Sequence, residues 1–379
     1  KNKDYTQNDT VGKAGLEQYY ETYLRGKNGE QKFYIDNVGR ISEIISSTDS
    51  VAGDDLYLSI DADLQKATYL ALQNEIAAIV YSNIKSGEIP INDVYTALIG
   101  NSVINTEHFS KAKASDTEKN VLSVFKSRQK TTLGKIKQEL TSSPEALNTM
   151  SDEVLDEFTY IISMLKDDQV LLKNEIDTSD SVYQKWKNQK ISPKEYLSYC
   201  ITQHWIDISQ LNVDEKYADS TEVYDALCKY ILKNIKTDTE FSKIIYQYMI
   251  TRGEISPRQL CLILFDQGVL DYDDATVNKL KNGSLSPRDF LMKKIYNIEI
   301  TPAQLALEPC TGSCVVTDEK TGEIRAMVSY PGYDSNKLAN GVDSEYFASL
   351  QHDKSFPLLN YATQQKTAPG STFKLVSAT

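Results

Sequence analysis

Histidine and tryptophan are scarce and cysteine is odd in number: the 379-residue chain holds three, two and five of them. With only His108, His204 and His352 available, the four-residue spacing of Cys310 and Cys314 suggests no metal site, and no cofactor is expected. Cys200, Cys228, Cys261, Cys310 and Cys314 fall at irregular intervals, which is no disulfide framework, and the first three are expected to be buried apolar residues. Long hydrophobic runs are also missing; none reaches the roughly 18–20 residues that cross a bilayer. There is no signal peptide and the chain starts at Lys1 without Met, so upstream sequence is expected to have been removed, and a missing anchor says little about the parent protein. Positive charge is in deficit. The formal net charge of −12 argues against nucleic acid or an anionic membrane surface as a direct partner. What is present, 40% hydrophobic and 9% aromatic residues, suits a globular protein of two or three domains.

Three zones differ in texture. In residues 1–82, glycine turns separate strand-like and helical pieces. The alternation Asp55-Leu56-Tyr57-Leu58-Ser59-Ile60-Asp61 predicts a half-buried strand. Asp61 is placed to cap a helix from about Ala62, with Leu64, Ala67, Leu70, Ala71 and Ile76 at helical spacing. Residues 83–309 read as almost wholly helical; Val154, Leu155, Phe158, Ile161, Ile162 and Leu165 mark one apolar stripe. One signature recurs there: Ile191-Ser192-Pro193, Ile255-Ser256-Pro257, Leu285-Ser286-Pro287 and Ile300-Thr301-Pro302. The hydroxyl residue is an N-cap, proline the first helical residue, and Glu195, Gln259, Asp289 or Gln304 reaches back to the cap. Tyr196, Leu260, Phe290 or Leu305 then closes a hydrophobic staple. The spacings of 64, 30 and 15 residues are not periodic, so these read as four helix starts rather than a repeat. From 310 the texture changes again. Residues 313–318 and 324–329 predict a hairpin around Lys320-Thr321-Gly322-Glu323, and residues 368–376 predict a turn opening into a helix. The chain stops at Thr379 barely two turns into that helix, which predicts a truncated domain.

Ser371 and Lys374, three apart on a helix, share a face, so the lysine amine approaches the serine hydroxyl. A serine needs a base to become a nucleophile, and a lysine serves once its surroundings favour its neutral form. Free N–H groups in a first helical turn also favour a developing negative charge. The spacing alone is weak: Ser82/Lys85, Ser110/Lys113, Ser123/Lys126, Ser127/Lys130 and Ser163/Lys166 repeat it in or beside the helical zone, where solvated faces explain them. Only Ser371 has a Pro-Gly turn before it, Phe373 within it and an apolar helix after it. His352 and Asp353 are expected to be surface residues rather than parts of a triad.

In that setting Pro369-Gly370-Ser371-Thr372-Phe373-Lys374 resembles the first active-site motif of penicillin-binding transpeptidases. Residues 357–363 are similar to the stretch leading into it, residues 321–329 to the hairpin that opens the transpeptidase sheet, and residues 333–336 to the segment after that hairpin. Gly15-Leu16-Glu17, Tyr20 and Leu24-Arg25-Gly26 resemble the pedestal signature of class B members; Leu58-Ser59-Ile60-Asp61 with Leu64-Gln65 resembles the segment joining pedestal to catalytic domain.

The resemblance implies an α+β chain: pedestal 1–53, start of a transpeptidase domain 54–82, an all-α insertion 83–309 and the truncated transpeptidase domain 310–379. Glu17 and Arg25 are expected to form a structural ion pair in the pedestal. The implied chemistry is a serine D,D-transpeptidase in the parent protein, with Ser371 attacking a peptidoglycan stem peptide, Lys374 as base, and β-lactams as mimics of the donor. A membrane-embedded glycosyltransferase partner and a place on the outer face of the cytoplasmic membrane, behind an N-terminal anchor, are implied as well; no nucleic acid is. Departures are Tyr361 where the family usually has Arg, the large insertion, and the absence of the later Ser-x-Asn and Lys-Thr-Gly motifs, so the fragment alone is expected to be inactive. Two alternatives stand beside this: a β-lactamase or β-lactam sensor, and, for the fragment, a non-catalytic scaffold of the cell-wall machinery.

Overall fold

A hydroxyl residue followed by proline starts a helix at each of the four places read from the sequence. Helices Pro193–Thr202, Pro257–Asp266, Pro287–Tyr296 and Pro302–Leu305 are capped by Ser192, Ser256, Ser286 and Thr301, each side chain accepting the N–H three residues on. Gln259 and Gln304 complete reciprocal boxes by accepting the cap's own N–H. The staple residues Ile191, Ile255, Ile300, Tyr196, Leu260, Phe290 and Leu305 are buried.

This computed structural model describes residues 5, 9–142, 145–213, 218–339, 341–368 and 370–378. It divides into two compact units, Lys1–Leu70 with Ser313–His352 and Phe356–Thr379, and Ala71–Gly312 with Asp353–Ser355. The fold is mixed α+β, and among the described residues both sheets are two-stranded pairs outside the helical unit.

The helical unit holds a regularity that the proline-marked starts conceal. Gly253, Gly268, Gly283 and Ile298 follow one another at 15-residue intervals, all with φ between 60° and 74° or at 80°. Each ends a helix in the left-handed conformation, and Ile255, Leu270, Leu285 or Ile300, two residues later, returns its N–H to that helix. Pairs at Gly87/Ser102 and Gln189/His204 keep the same 15-residue step. The expectation of no periodicity is therefore corrected: a short helix and a turn repeat in steps of 15. The spacings of 30 and 15 between proline starts were multiples of that step, and the member between them is capped by Asp273 without proline.

Helix Asp152–Asp167 buries Phe158, Ile161, Ile162 and Leu165 of the expected stripe, but also Glu153 and Glu157, at 4% and 2% exposure. Arg128 Nη2 grips Glu153 through both oxygens at 2.8 and 2.9 Å, and Arg252 Nη2 adds a contact of 2.6 Å. Arg128 Nη1 also lies 3.6 Å from Glu254, whereas Glu157 Oε1 has no hydrogen-bond partner. Burial, then the charge of Glu153, pushes the Glu157 carboxyl up to about 8. A second buried acid, Glu118, behaves oppositely. Burial opposes its charge, but donors from Gln267, Ser115 and His108 outweigh that and hold it below the usual carboxylate range.

Cys200, Cys228 and Cys261 are buried as expected, Cys310 is buried too, and Cys314 is half-buried. Burial pushes the Cys200 and Cys261 thiols up to about 12 and those of Cys228 and Cys310 to about 11, which suppresses the reactive thiolate. A native thiol titration followed by mass spectrometry is expected to modify Cys314 first, the other four reacting only after unfolding; equal native rates at all five would contradict this packing.

Segment 55–61 is the clearest departure from the sequence reading. It forms no strand; Leu56, Tyr57 and Leu58 are 38%, 89% and 51% exposed. Only Asp61 N–H reaches a neighbouring strand carbonyl, that of Arg325, and Ser59 Oγ donates to the Ile324 carbonyl. Alternation sets which way side chains point, but a strand also needs a continuous ladder of backbone bonds. Asp61 does cap helix Ala62–Ser86, accepting from Leu64 N–H at 3.0 Å.

Candidate active site

The non-helical unit builds its site from a hairpin outward. Strands β1 (Glu30–Ile35) and β2 (Ile41–Thr48) pair antiparallel near the N-terminus; β3 (Gly312–Thr317) and β4 (Ile324–Tyr330) form the predicted second hairpin. Its turn is closed by Gly322, at φ 74°, and by Asp318. The N–H groups of Thr321 and Lys320 donate to the Asp318 carboxylate and hold it below its ordinary range.

Gln65 acts as a surrogate strand. Its Oε1 accepts Met327 N–H at 2.7 Å and its Nε2 donates to the Met327 carbonyl at 2.6 Å, satisfying both free backbone groups of one β4 residue. Together with the Ser59 and Asp61 contacts, this gives a physical reason for the Leu-Ser-Ile-Asp and Leu-Gln pattern. Alternate β4 residues Ala326, Val328 and Tyr330 are buried, and Tyr330 packs on Tyr69 with ring centroids 5.6 Å apart.

At the far end of β4, Ser329 Oγ donates to Asn360 Oδ1 and accepts Ala362 N–H, both at 3.2 Å. Asn360 Oδ1 also caps helix Tyr361–Gln364 by accepting Thr363 N–H, which fixes the segment approaching Ser371 against the strand. Tyr361 is buried at 7% exposure. A 3₁₀ turn Gly370–Phe373 follows and passes into helix Lys374–Ser377. Pro369 lies outside the described residues. Ser371 thus stands on a 3₁₀ turn, where residues three apart eclipse, rather than in the first turn of an α-helix. Gly370 takes φ 56°, which glycine adopts without a steric penalty. Ser371 and Lys374 are both exposed and make no hydrogen bond to each other.

The remaining candidate residues have partners of their own. His352 Nδ1 lies 2.8 Å from the Ala348 carbonyl within its own helix, and Asp353 Oδ1 accepts from Ser355 N–H and Oγ. Among the described residues Glu17 makes no ion pair with Arg25, which stands eight positions on, past the end of helix Glu21–Leu24. Arg25 instead stacks its guanidinium 4.0 Å over the Tyr5 ring. The acid that organises this region is Glu21, which accepts from Tyr5 Oη and Gly12 N–H. Gly26 and Gly53 permit a close backbone crossing; a Cβ on Gly53 would sit 1.9 Å from the Leu24 carbonyl oxygen.

Among the described residues no helix is long and apolar enough to cross a membrane. Comparison with known proteins places two families on the chain: residues 1–58 match the penicillin-binding protein dimerisation domain and residues 312–379 the penicillin-binding protein transpeptidase domain. Over 72 residues the chain is 43% identical to the peptidoglycan D,D-transpeptidase PbpA of Mycolicibacterium smegmatis, covering 18% of this chain and 15% of that one. It is 34% identical over 118 residues to the peptidoglycan D,D-transpeptidase FtsI of Escherichia coli K12, covering 31% and 19%, and 32% identical over 87 residues to MrdA of Salmonella typhimurium, covering 23% and 14%. The chain therefore spans less than a fifth of each of these relatives. No solved structure is a significant match. The two matched domains lie at the two ends of the chain in sequence order, and the relatives are D,D-transpeptidases, so over these stretches the chain is similar to the class B penicillin-binding proteins.

Proposed function

We propose that the whole protein is a serine D,D-transpeptidase of peptidoglycan, that Ser371 is its nucleophile and that Lys374 is its base. What supports this is that Ser371 stands on an exposed turn and Lys374, three residues on, is the first residue of the exposed helix Lys374–Ser377 that follows it, both inside the transpeptidase match. Ser371 Oγ attacks the penultimate D-Ala carbonyl of a stem peptide. The bond from that carbonyl to the terminal D-Ala nitrogen breaks, and the serine proton passes through Lys374 to the leaving amine. An amine of a neighbouring strand then attacks the ester, forms the cross-link and returns the proton to Ser371. The Ser371 N–H is one oxyanion donor. β-Lactams acylate the same hydroxyl.

Residues 1–53 serve as a pedestal that docks a membrane-embedded glycosyltransferase, residues 54–82 and 310–379 belong to the transpeptidase domain, and residues 83–309 form an insertion in it. The protein acts on the outer face of the cytoplasmic membrane, held by an N-terminal anchor. A fluorescent penicillin is expected to label the full-length protein, with the adduct mass mapping to the peptide that contains Ser371. Residues 1–379 alone are expected to take up none. No adduct on the full-length protein, or an adduct on another serine, overturns the assignment.

A further inference from the structure

Two of the Ser-x-x-Lys spacings set aside as solvated surface, Ser123/Lys126 and Ser127/Lys130, fall on one face of helix Asp116–Thr141. At about 100° per residue, Lys119, Lys126, Lys130 and Lys137 lie within a sector of about 40° and span about 27 Å of helix. All four are exposed, and none has a side-chain partner among the described residues. Lys126, Lys130 and Lys137 have no acidic residue three or four positions away, and Lys126 and Lys130, four apart, repel one another. On the open side, Asp116 stands near Lys119 at the start of the helix, and beyond it Ser123, Ser127 and Gly134 are uncharged. Two further lysines lie beside this helix: Gln129 Nε2 donates to the carbonyl of Lys236, and Lys194 Nζ to that of Thr141. Acidic residues outnumber basic ones 53 to 41 in the chain, so a lysine row in which three of four members have no acidic neighbour on the helix runs against the composition.

Gly134 is a second, independent oddity. A Cβ there would meet nothing within 4 Å, so packing does not require glycine, although glycine inside a helix costs about 1 kcal/mol relative to alanine. It sits between Lys130 and Lys137 at the edge of the row, where a missing side chain lets a ligand approach the backbone.

We infer that this lysine row is a binding surface for a linear, flexible phosphate polymer without bases. The row is straight and narrow, and lysine presents mobile point charges rather than the planar fork that reads one fixed oxyanion. A bilayer is disfavoured because, among the described residues, no large apolar side chain between Ile79 and Tyr272 is exposed to insert into it. A single-stranded nucleic acid is disfavoured because the only aromatic residue of the helix, Phe125, is buried and stacked on Tyr246, leaving nothing on which bases stack. At a net charge of −12 the chain as a whole repels a polyanion, so any binding must come from a local feature such as this one.

The test is anisotropy of end-labelled inorganic polyphosphate with residues 1–379 at about 50 mM salt and above. Binding is expected, and a variant with Lys119, Lys126, Lys130 and Lys137 all changed to Gln is expected to lose at least about tenfold in affinity. Its log–log salt slope should shrink by about three, roughly 0.7 for each phosphate contact. Lys and Gln have similar helix propensity, and unchanged circular dichroism verifies the fold. A control variant with Lys85, Lys173, Lys187 and Lys281 changed to Gln should bind like the parent. No binding by the parent, or equal losses in both variants, overturns the inference. Tighter binding of oligothymidylate of equal charge, or row-dependent binding confined to anionic phospholipid vesicles, overturns the assignment of the ligand.

Discussion

In the full-length protein, Lys374→Ala and Lys374→Arg are both expected to slow acylation by a penicillin by about 10²–10⁴-fold, the usual contribution of a positioned base. The arginine variant gives this its force. Arginine keeps a positive charge at the same place but does not deprotonate in proteins, so it preserves an electrostatic role and abolishes a proton-accepting one. Both side chains occupy an exposed position on helix Lys374–Ser377, so neither change opens a cavity in the described part of the molecule. A stopped-flow acylation rate for Lys374→Arg within about threefold of the parent would remove Lys374 from the base role and leave it as a counter-charge for the oxyanion. The same comparison separates Lys374 from the rest of the motif: Ser371→Ala abolishes the ester itself, whereas a missing base only slows its formation.

How much of this was legible beforehand depended on how local the cause was. The start at Ser256-Pro257 is written in consecutive residues, because a cap, a proline and a returning Gln259 need nothing from the rest of the fold. The same logic, applied without proline, would have found helix Asp116–Thr141, whose cap Ser115 and third residue Glu118 form a full capping box, and helix Ser220–Ile235, capped by Asp219 and Glu222. The 15-residue step was present in the glycines at 253, 268 and 283, but its fourth member is Ile298, a residue that gives no hint of a left-handed turn. Segment 55–61 failed for the opposite reason. Its alternation was real, yet pairing depends on residues more than 260 positions away, where Gln65 rather than a backbone segment serves Met327. At the site, the spacing of Ser371 and Lys374 was readable, whereas the Ser329–Asn360 clasp joins residues 31 apart that carry no motif of their own. Glu21 was missed beside the more conspicuous Glu17, because its partners Tyr5 and Gly12 stand 16 and 9 residues away and carry no motif that points to it.

Glu157 was equally invisible, and it carries the second large expected effect. Arg128 and Arg252 balance Glu153 and Glu254 in charge, so an ionised Glu157 would be the uncompensated member of the buried cluster. Lys135 also lies near enough to favour ionisation, but burial and Glu153 outweigh it and the two arginines, and the carboxyl stays protonated to about pH 8. In the unfolded chain the same group releases its proton near pH 4.5. Between those values the folded state holds more protons than the unfolded one, so this group's contribution to stability is full below about pH 4.5 and is lost as pH rises toward about 8. The loss is on the order of 3–5 kcal/mol. Glu157→Gln should remove that slope: unfolding free energies from denaturant titration lie within about 1–2 kcal/mol of each other for variant and parent at pH 5, the cost of an unpartnered amide, and diverge in favour of the variant by about 3 kcal/mol at pH 9. Glu118, held low by its donors, gives both proteins the same loss of stability in acid, so the difference between them isolates Glu157. Parallel stability–pH curves from pH 5 to pH 9 would mean that Glu157 ionises inside the fold with a counter-charge, and that the balance among Arg128, Arg252, Glu153 and Glu254 leaves room for it.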